Sequence, residues 1–297
     1  MEKPGPGIPG VLHRPPAAPL PHPRGRWIMS QRWHNLLFAH WPVPHDALRP
    51  LIPPNLCVDT FDGQAWLGII AFRLSGIRLR GFPEIRLVSR FPEINVRTYV
   101  TLNGKPGVWF LSLDADNPLA IALARPWFHL PYFRAKIRFQ TQGDTIRFSS
   151  RRTSSGAPPA EFEASYRPVS RVYHTRPGTL DHWLTERYCY YALAGGRLYC
   201  CDVRHPPWSL QTTHACITTN SMALAHGIEL PPVEPLLHYA HRMQALIWPV
   251  RTMMRRARAG WKPALNLPLL HGDPGRSVRP NTPSQFSKHS LRRDGSS

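Results

Sequence analysis

No stretch of this sequence approaches the roughly 18 consecutive apolar residues that a membrane-spanning helix requires. The longest suggestive run, 65–71, has only the length of a strand. The N-terminal segment lacks the apolar centre of a secretory signal. Cysteine is scarce and unpatterned. Cys57, Cys189, Cys200, Cys201 and Cys216 are odd in number and form no C-x-x-C, and the adjacent pair must face opposite sides of a strand. That argues against a disulfide framework or a zinc site, and a reducing cytoplasm is the expected location. His40 and His45, around two prolines, have no carboxylate or cysteine companion, so no metal is expected. G-x-G-x-x-G, the Walker loop, G-x-S-x-G and H-E-x-x-H are all absent, and no cofactor is expected either.

Positive charge, by contrast, is abundant: 37 Lys and Arg against 18 Asp and Glu give a formal +19. Residues 1–28 carry four basic and one acidic side chain, and residues 251–297 carry ten and two, so the ends account for +11. The 222 residues between them hold the other +8. No recognition helix, RNP aromatic motif or Cys/His finger accompanies the charge, so specific nucleic-acid binding is not expected. A non-specific nucleic-acid or anionic-surface binder acting through the basic tails is the alternative to a small-molecule function. Eight of the first 26 residues are proline, and from 271 the chain is Gly, Pro, Ser and Arg without periodicity. Both ends are expected to be disordered, because such composition buries too little apolar surface to offset chain entropy. The expected organisation is an extension over 1–28, one domain over 29–250 and a basic segment over 251–297, disordered from about 271. The chain is 42% hydrophobic, and eight of its ten tryptophans fall within 29–250, so that region can build a sizeable core.

Short strand-like runs dominate that region: 35–40, 64–74, 91–102, 108–114, 132–140, 145–151 and 161–167. Asn103-Gly104-Lys105-Pro106-Gly107 reads as a hairpin connection with a longer loop. A second hairpin pairs 188–193 with 197–204 across Ala194-Gly195-Gly196. Helices are few. Asn117 and Pro118 suit the N-cap and first position of a helix over 119–125, Thr179 caps another through Arg187, and 44–51 forms a third. The expected class is α+β, predominantly antiparallel β, with the sheet closed or strongly curved so that its edges disappear.

The segment Phe91-Pro92-Glu93-Ile94-Asn95-Val96-Arg97-Thr98-Tyr99-Val100 carries the most chemistry. Strand alternation puts Glu93, Asn95, Arg97 and Tyr99 on one face, and Ile94, Val96, Thr98 and Val100 on the other. The polar row is either a solvated face with weak Glu–Arg pairing or the lining of an interior. Residues 123–137 join a helix to a strand through a Pro-rich aromatic turn, a suitable pocket wall or a packed loop. A third region comprises 185–191 and 205–211, with His205 a candidate acid–base group or a structural histidine.

Several motifs resemble the YqjF-like family of uncharacterised bacterial proteins. They are Asn35-Leu36-Leu37-Phe38-Ala39-His40-Trp41-Pro42-Val43, Phe61-Asp62-Gly63-Gln64-Ala65-Trp66-Leu67-Gly68, Glu93-x-Asn95-Val96-Arg97-Thr98-Tyr99-Val100, Leu184-Thr185-Glu186-Arg187-Tyr188 and His205-Pro206-Pro207-Trp208-Ser209-Leu210-Gln211. They span about 29–250. The resemblance implies an acetoacetate-decarboxylase-like fold, a curved cone of antiparallel strands around an internal cavity. It also implies a comparison with the superfamily's decarboxylases, in which a Gly-Arg helix end precedes Gly-x-Pro-Lys-Lys and the first lysine forms a Schiff base. Here Ala124-Arg125 resembles the helix end, and Leu130-Pro131-Tyr132-Phe133 takes the place of the lysine stretch. Tyr132 and Phe133 cannot form an imine, and Lys136, on the same strand face as Tyr132, has no adjacent cation to lower its pKa. Glu93 matches the superfamily's strand glutamate and favours the interior reading of its row.

The resulting expectation is a cavity protein that binds a small anionic organic molecule. Asn95, Arg97, Tyr99 and Arg125 are the candidate ligand-binding residues, and Glu93 with Tyr132 the candidate acid–base pair. Any enzymatic activity is expected to be lyase- or hydratase-like without an imine-forming lysine, and a homo-oligomer is compatible with the sequence.

Overall fold

The structure, a computed structural model, describes residues 23–254. The far ends of both basic tails, and the tail-borne binding they suggest, lie outside the described residues. The strands are β1 (Met29–Val43), β2 (Cys57–Val58), β3 (Ala65–Leu79), β4 (Phe91–Leu102), β5 (Lys105–Ala115), β6 (Tyr132–Gln142) and β7 (Thr145–Arg152). They continue with β8 (Glu161–Pro168), β9 (Cys189–Ala194), β10 (Arg197–Arg204), β11 (Leu210–Asn220), β12 (Leu236–Ile247) and β13 (Arg251–Met254). Four short helices interrupt them: α1 (His45–Leu48), α2 (Arg86–Ser89), α3 (Pro118–Phe128) and α4 (Leu180–Thr185).

Nine strands close a ring in the order β5-β6-β7-β8-β11-β12-β1-β3-β4, with β4 returning to β5. β9 and β10 form a second route from β5 to β12, so β5 has three neighbours. Pairing is antiparallel except for β5 with β6 and β5 with β9. The expected β-rich, curved architecture is therefore present, and closure leaves few unpaired edges.

Turn chemistry sets the hairpins. Asn103 and Gly104 both have positive φ, 51° and 75°, and Leu102 already faces Lys105. The connection is a two-residue turn rather than the longer loop expected, because Asn-Gly accepts the left-handed conformation that matches strand twist. Gly195 and Gly196, at 54° and 69°, do the same between β9 and β10. Asn117 caps α3 by accepting from the Ala120 N–H at 3.0 Å, and Thr179 caps α4. α4 stops at Thr185, short of the expected Arg187, which frees the Glu186 and Arg187 side chains for other partners.

Two boundaries move outward from those expected. Ile28 N–H donates to Ile247 O at 2.8 Å, Ile28 O accepts from Arg80 N–H at 2.8 Å, and the Trp248 indole donates to Gly25 O at 3.1 Å. Residues 25–28 thus belong to the folded body, as does β13, which pairs with β10 beyond residue 250. β11 and β12 fall outside the runs anticipated from alternation. Thr212, His214, Cys216 and Thr218 of β11 face solvent, which weakens its hydrophobic signal.

β4 is buried on both faces. Ile94, Val96 and Val100 pack into the main core with Leu37, Leu67 and Ile69, each fully buried aliphatic side chain contributing about 1.5–3 kcal/mol. The opposite face, with Glu93, Asn95 and Arg97, lines a cavity. Next to that cavity, Gly68 of β3 lies between His40 and Arg97 in the register. A Cβ there would stand 2.9 Å from His40 Cδ2, so the missing side chain is what lets the imidazole fit.

Candidate functional site

Strand register builds the cavity wall. Phe38 of β1, Ile70 of β3, Asn95 of β4, Leu113 of β5 and Tyr132 of β6 are successive partners across five strands, and all five line it. Tyr132 reaches this row because α3 ends at His129 in a left-handed conformation (φ 54°), which reverses the chain. Leu113 N–H then bonds Pro131 O at 3.0 Å and starts the parallel β5–β6 pairing. Arg125 fixes the same corner by donating from Nε and Nη2 to the Tyr132 carbonyl, at 3.2 and 2.5 Å.

The cavity has a volume of about 350 Å³ and is lined mainly by apolar side chains, with a small polar group at one end. Tyr132 Oη donates to Glu93 Oε2 at 3.0 Å. Burial pushes the Glu93 carboxyl up to about 8, against the opposing hydrogen bonds of Tyr132 and Asn95 and with a small addition from Asp114. Glu93 is therefore protonated at neutral pH. The Tyr132 phenol is raised well above its ordinary value, by burial first and then by Glu93.

Two guanidinium groups share this end. Arg187 donates from Nη1 to Asp59 Oδ2 at 2.6 Å and from Nε to Trp183 O at 2.7 Å. Its guanidinium stacks on Trp183 and Tyr99, 4.2 and 4.8 Å from the ring centroids. Arg97 approaches Phe38 and Tyr99 from the adjacent side. Asn95 Oδ1, Arg97 Nε and Arg187 Nη2 are buried and have no hydrogen-bond partner among the described residues. A buried polar group without a partner costs on the order of 1–3 kcal/mol, so three at one end of a cavity mark where a ligand's polar atoms belong.

Of the residues singled out from sequence, Glu93, Asn95, Arg97 and Tyr132 meet here. Tyr99 does not line the cavity. It is fully buried behind Arg97, with its hydroxyl 2.7 Å from His40 Nε2. The β4–β5 register shift next to Val96 places its extra residue, Leu111, on β5. Arg125 does not line the cavity either, and it acts on the Tyr132 backbone.

Arg187, Thr185 and Trp208 were not chosen from sequence as site residues, yet they line the cavity together with His205. Glu186 knits their two segments together by accepting from Trp208 N–H at 2.9 Å and from the Tyr188 hydroxyl. Trp208 Nε1 donates to Thr185 O at 2.9 Å. The imidazole of His205 stacks on Tyr188 and bonds Pro206 O through Nδ1 at 2.8 Å, and burial lowers its pKa. A carbonyl can only accept, so Nδ1 carries the proton in that hydrogen bond. The available sequence signal was the co-occurrence of the two motifs, not any single residue.

The closed β ring is the fold shared with solved acetoacetate-decarboxylase-like proteins. A solved acetoacetate decarboxylase superposes with a TM-score of 0.53 at 15% identity, covering 78% of this chain and 91% of that one. The acetoacetate decarboxylase of Legionella pneumophila gives 0.51 at 14%, covering 84% and 98%. The enduracididine biosynthesis enzyme MppR, complexed with pyruvate, gives 0.52 at 15%, covering 77% and 91%. At such identities the likeness establishes the fold alone. The chain itself belongs to the DUF2071 family, described as an uncharacterized conserved protein, whose pattern matches residues 30–244. It is 48% identical over 229 residues to the uncharacterized protein YqjF of Bacillus subtilis (strain 168), covering 77% of this chain and 94% of that protein. Among the described residues no helix is long and apolar enough to cross a membrane.

Proposed function

We propose that this protein binds a small organic anion, a carboxylate, at the Arg97–Arg187 end of the cavity, and that Glu93 with Tyr132 serves as a proton donor to it. The carrying observation is the charge balance. Two guanidinium groups stand at this end: Arg187 is ion-paired with Asp59, Arg97 has no carboxylate within ion-pair distance among the described residues, and Glu93 is neutral. A ligand carboxylate supplies the missing negative charge and accepts from Arg97 Nε and Arg187 Nη2. Its neighbouring polar hydrogen satisfies Asn95 Oδ1. That MppR has been solved with pyruvate, another carboxylate, supports the assignment for this fold.

The chemistry that fits is lyase- or hydratase-like proton transfer without an imine. A protonated carboxyl with an elevated pKa, backed by a phenol, can deliver a proton to a carbon or oxygen next to the carboxylate. Calorimetric titration of the full chain with a panel of small carboxylates and their neutral amides tests the binding. Preference for the acids, lost in Arg97→Gln, is expected, and equal binding of acids and amides would refute it.

A further inference from the structure

The cavity does not end at its polar group. Phe82, Ile85, Leu123 and Trp127 also line it, yet they are 53–65% exposed, so the space runs from a buried polar end to an apolar mouth at the surface. The mouth has two lips: the segment leading into α2, and α3. Asn117 Nδ2 ties them by donating to Leu87 O at 2.8 Å. Between the ends the wall carries Phe38, Phe72 and Ile70. Four large apolar side chains left in water around an opening are unfavourable unless something apolar covers them.

We infer that the ligand is an amphiphilic carboxylate whose head lies at Arg97 and Arg187 and whose hydrocarbon or aryl body runs outward along the cavity to be clasped by Phe82, Ile85, Leu123 and Trp127. The inference rests on the carboxylate reading above and adds the chemical class of the ligand's other end. A short acid such as acetate satisfies the guanidinium groups but leaves the wall and the mouth uncovered. A chain of several carbons removes both from water at once. Because Asn95, Arg97 and Arg187 are the cavity-lining residues with a buried polar atom lacking a partner among the described residues, the reverse orientation would bury a hydrocarbon terminus against two cations.

The test is calorimetric titration of the full chain with straight-chain carboxylates from acetate to decanoate, with octan-1-ol as the neutral comparison. Affinity is expected to rise about threefold to fourfold per added methylene until the mouth is covered. Phe82→Ser combined with Trp127→Ser, both at exposed positions, is expected to flatten the upper part of this series and leave butanoate unchanged. Arg97→Gln is expected to weaken all acids alike and keep the slope. Equal affinity from acetate to decanoate would overturn the amphiphile assignment while leaving the carboxylate reading intact. Octan-1-ol binding as tightly as octanoate would overturn the carboxylate reading instead. If the double variant kept the slope but lowered the native mass of the protein, the mouth would be a contact between two copies and the inference would fall.

Discussion

The Tyr132 hydroxyl donates to Glu93 Oε2 at 3.0 Å, with both groups withdrawn from water, so burial holds both protons in place and Glu93 further raises the phenol. The carboxyl titrates near 8 instead of near 4.5 because burial outweighs the two hydrogen bonds that favour its ionised form. Its folded-state pKa is raised, so the associated stability is fully present below about 4.5 and is lost as pH rises through 8. Wild type should lose on the order of 4 kcal/mol relative to Glu93→Gln between pH 5 and pH 9. Denaturant unfolding of both proteins across that range measures the difference, and a pH-independent gap would contradict the assignment.

The two cavity arginines should separate cleanly. Arg97→Met removes a cation with an unpaired Nε and should change stability by less than about 1 kcal/mol while weakening carboxylate binding about 10- to 100-fold. Arg187→Met strands the Asp59 carboxylate and should cost about 3–5 kcal/mol in stability as well. Thermal unfolding and calorimetry on both variants check the contrast, which similar destabilisation by the two would defeat.

Away from the cavity, Arg152 forms a double hydrogen bond with Asp114, 2.7 Å from Nε to Oδ1 and 2.7 Å from Nη2 to Oδ2, with both side chains 1% exposed. Asp114→Asn should destabilise by about 3–5 kcal/mol, because it leaves a buried guanidinium without its counter-charge. Replacing both partners, Asp114→Leu with Arg152→Met, should recover most of that loss. A double variant as unstable as the single one would show that the pair is needed for more than charge balance.

No Schiff base should form. The two lysines among the described residues are Lys105, whose Nζ donates to Asp202 Oδ1 at 2.6 Å, and Lys136, which is exposed; neither lines the cavity. Borohydride reduction with a panel of β-keto acids, followed by intact mass spectrometry, should leave the mass unchanged. A substrate-dependent adduct on either lysine would reverse this.

Local pattern was enough for a specific part of this protein. The period-two order of 91–97 put Glu93, Asn95 and Arg97 on one face, and that holds because a strand leaves its side chains no other choice. Asn-Gly and Gly-Gly placed two hairpin turns, and Asn117 and Thr179 placed two helix starts, because each depends on a backbone conformation or cap available within four residues. The absence of lysine at 132 and 133 removed imine chemistry from that position before any fold was known. Tertiary structure alone decided the rest. Arg187 becomes part of the cavity through Asp59, 128 residues away, and Tyr99 is withdrawn from it by His40, 59 residues away. Whether the polar row faced solvent or an interior depended on ring closure between β4 and β5 and on the lips formed by residues 82–88 and α3. Such contacts are set by how distant strands register and pack, and periodicity within one segment carries no information about what lies opposite it.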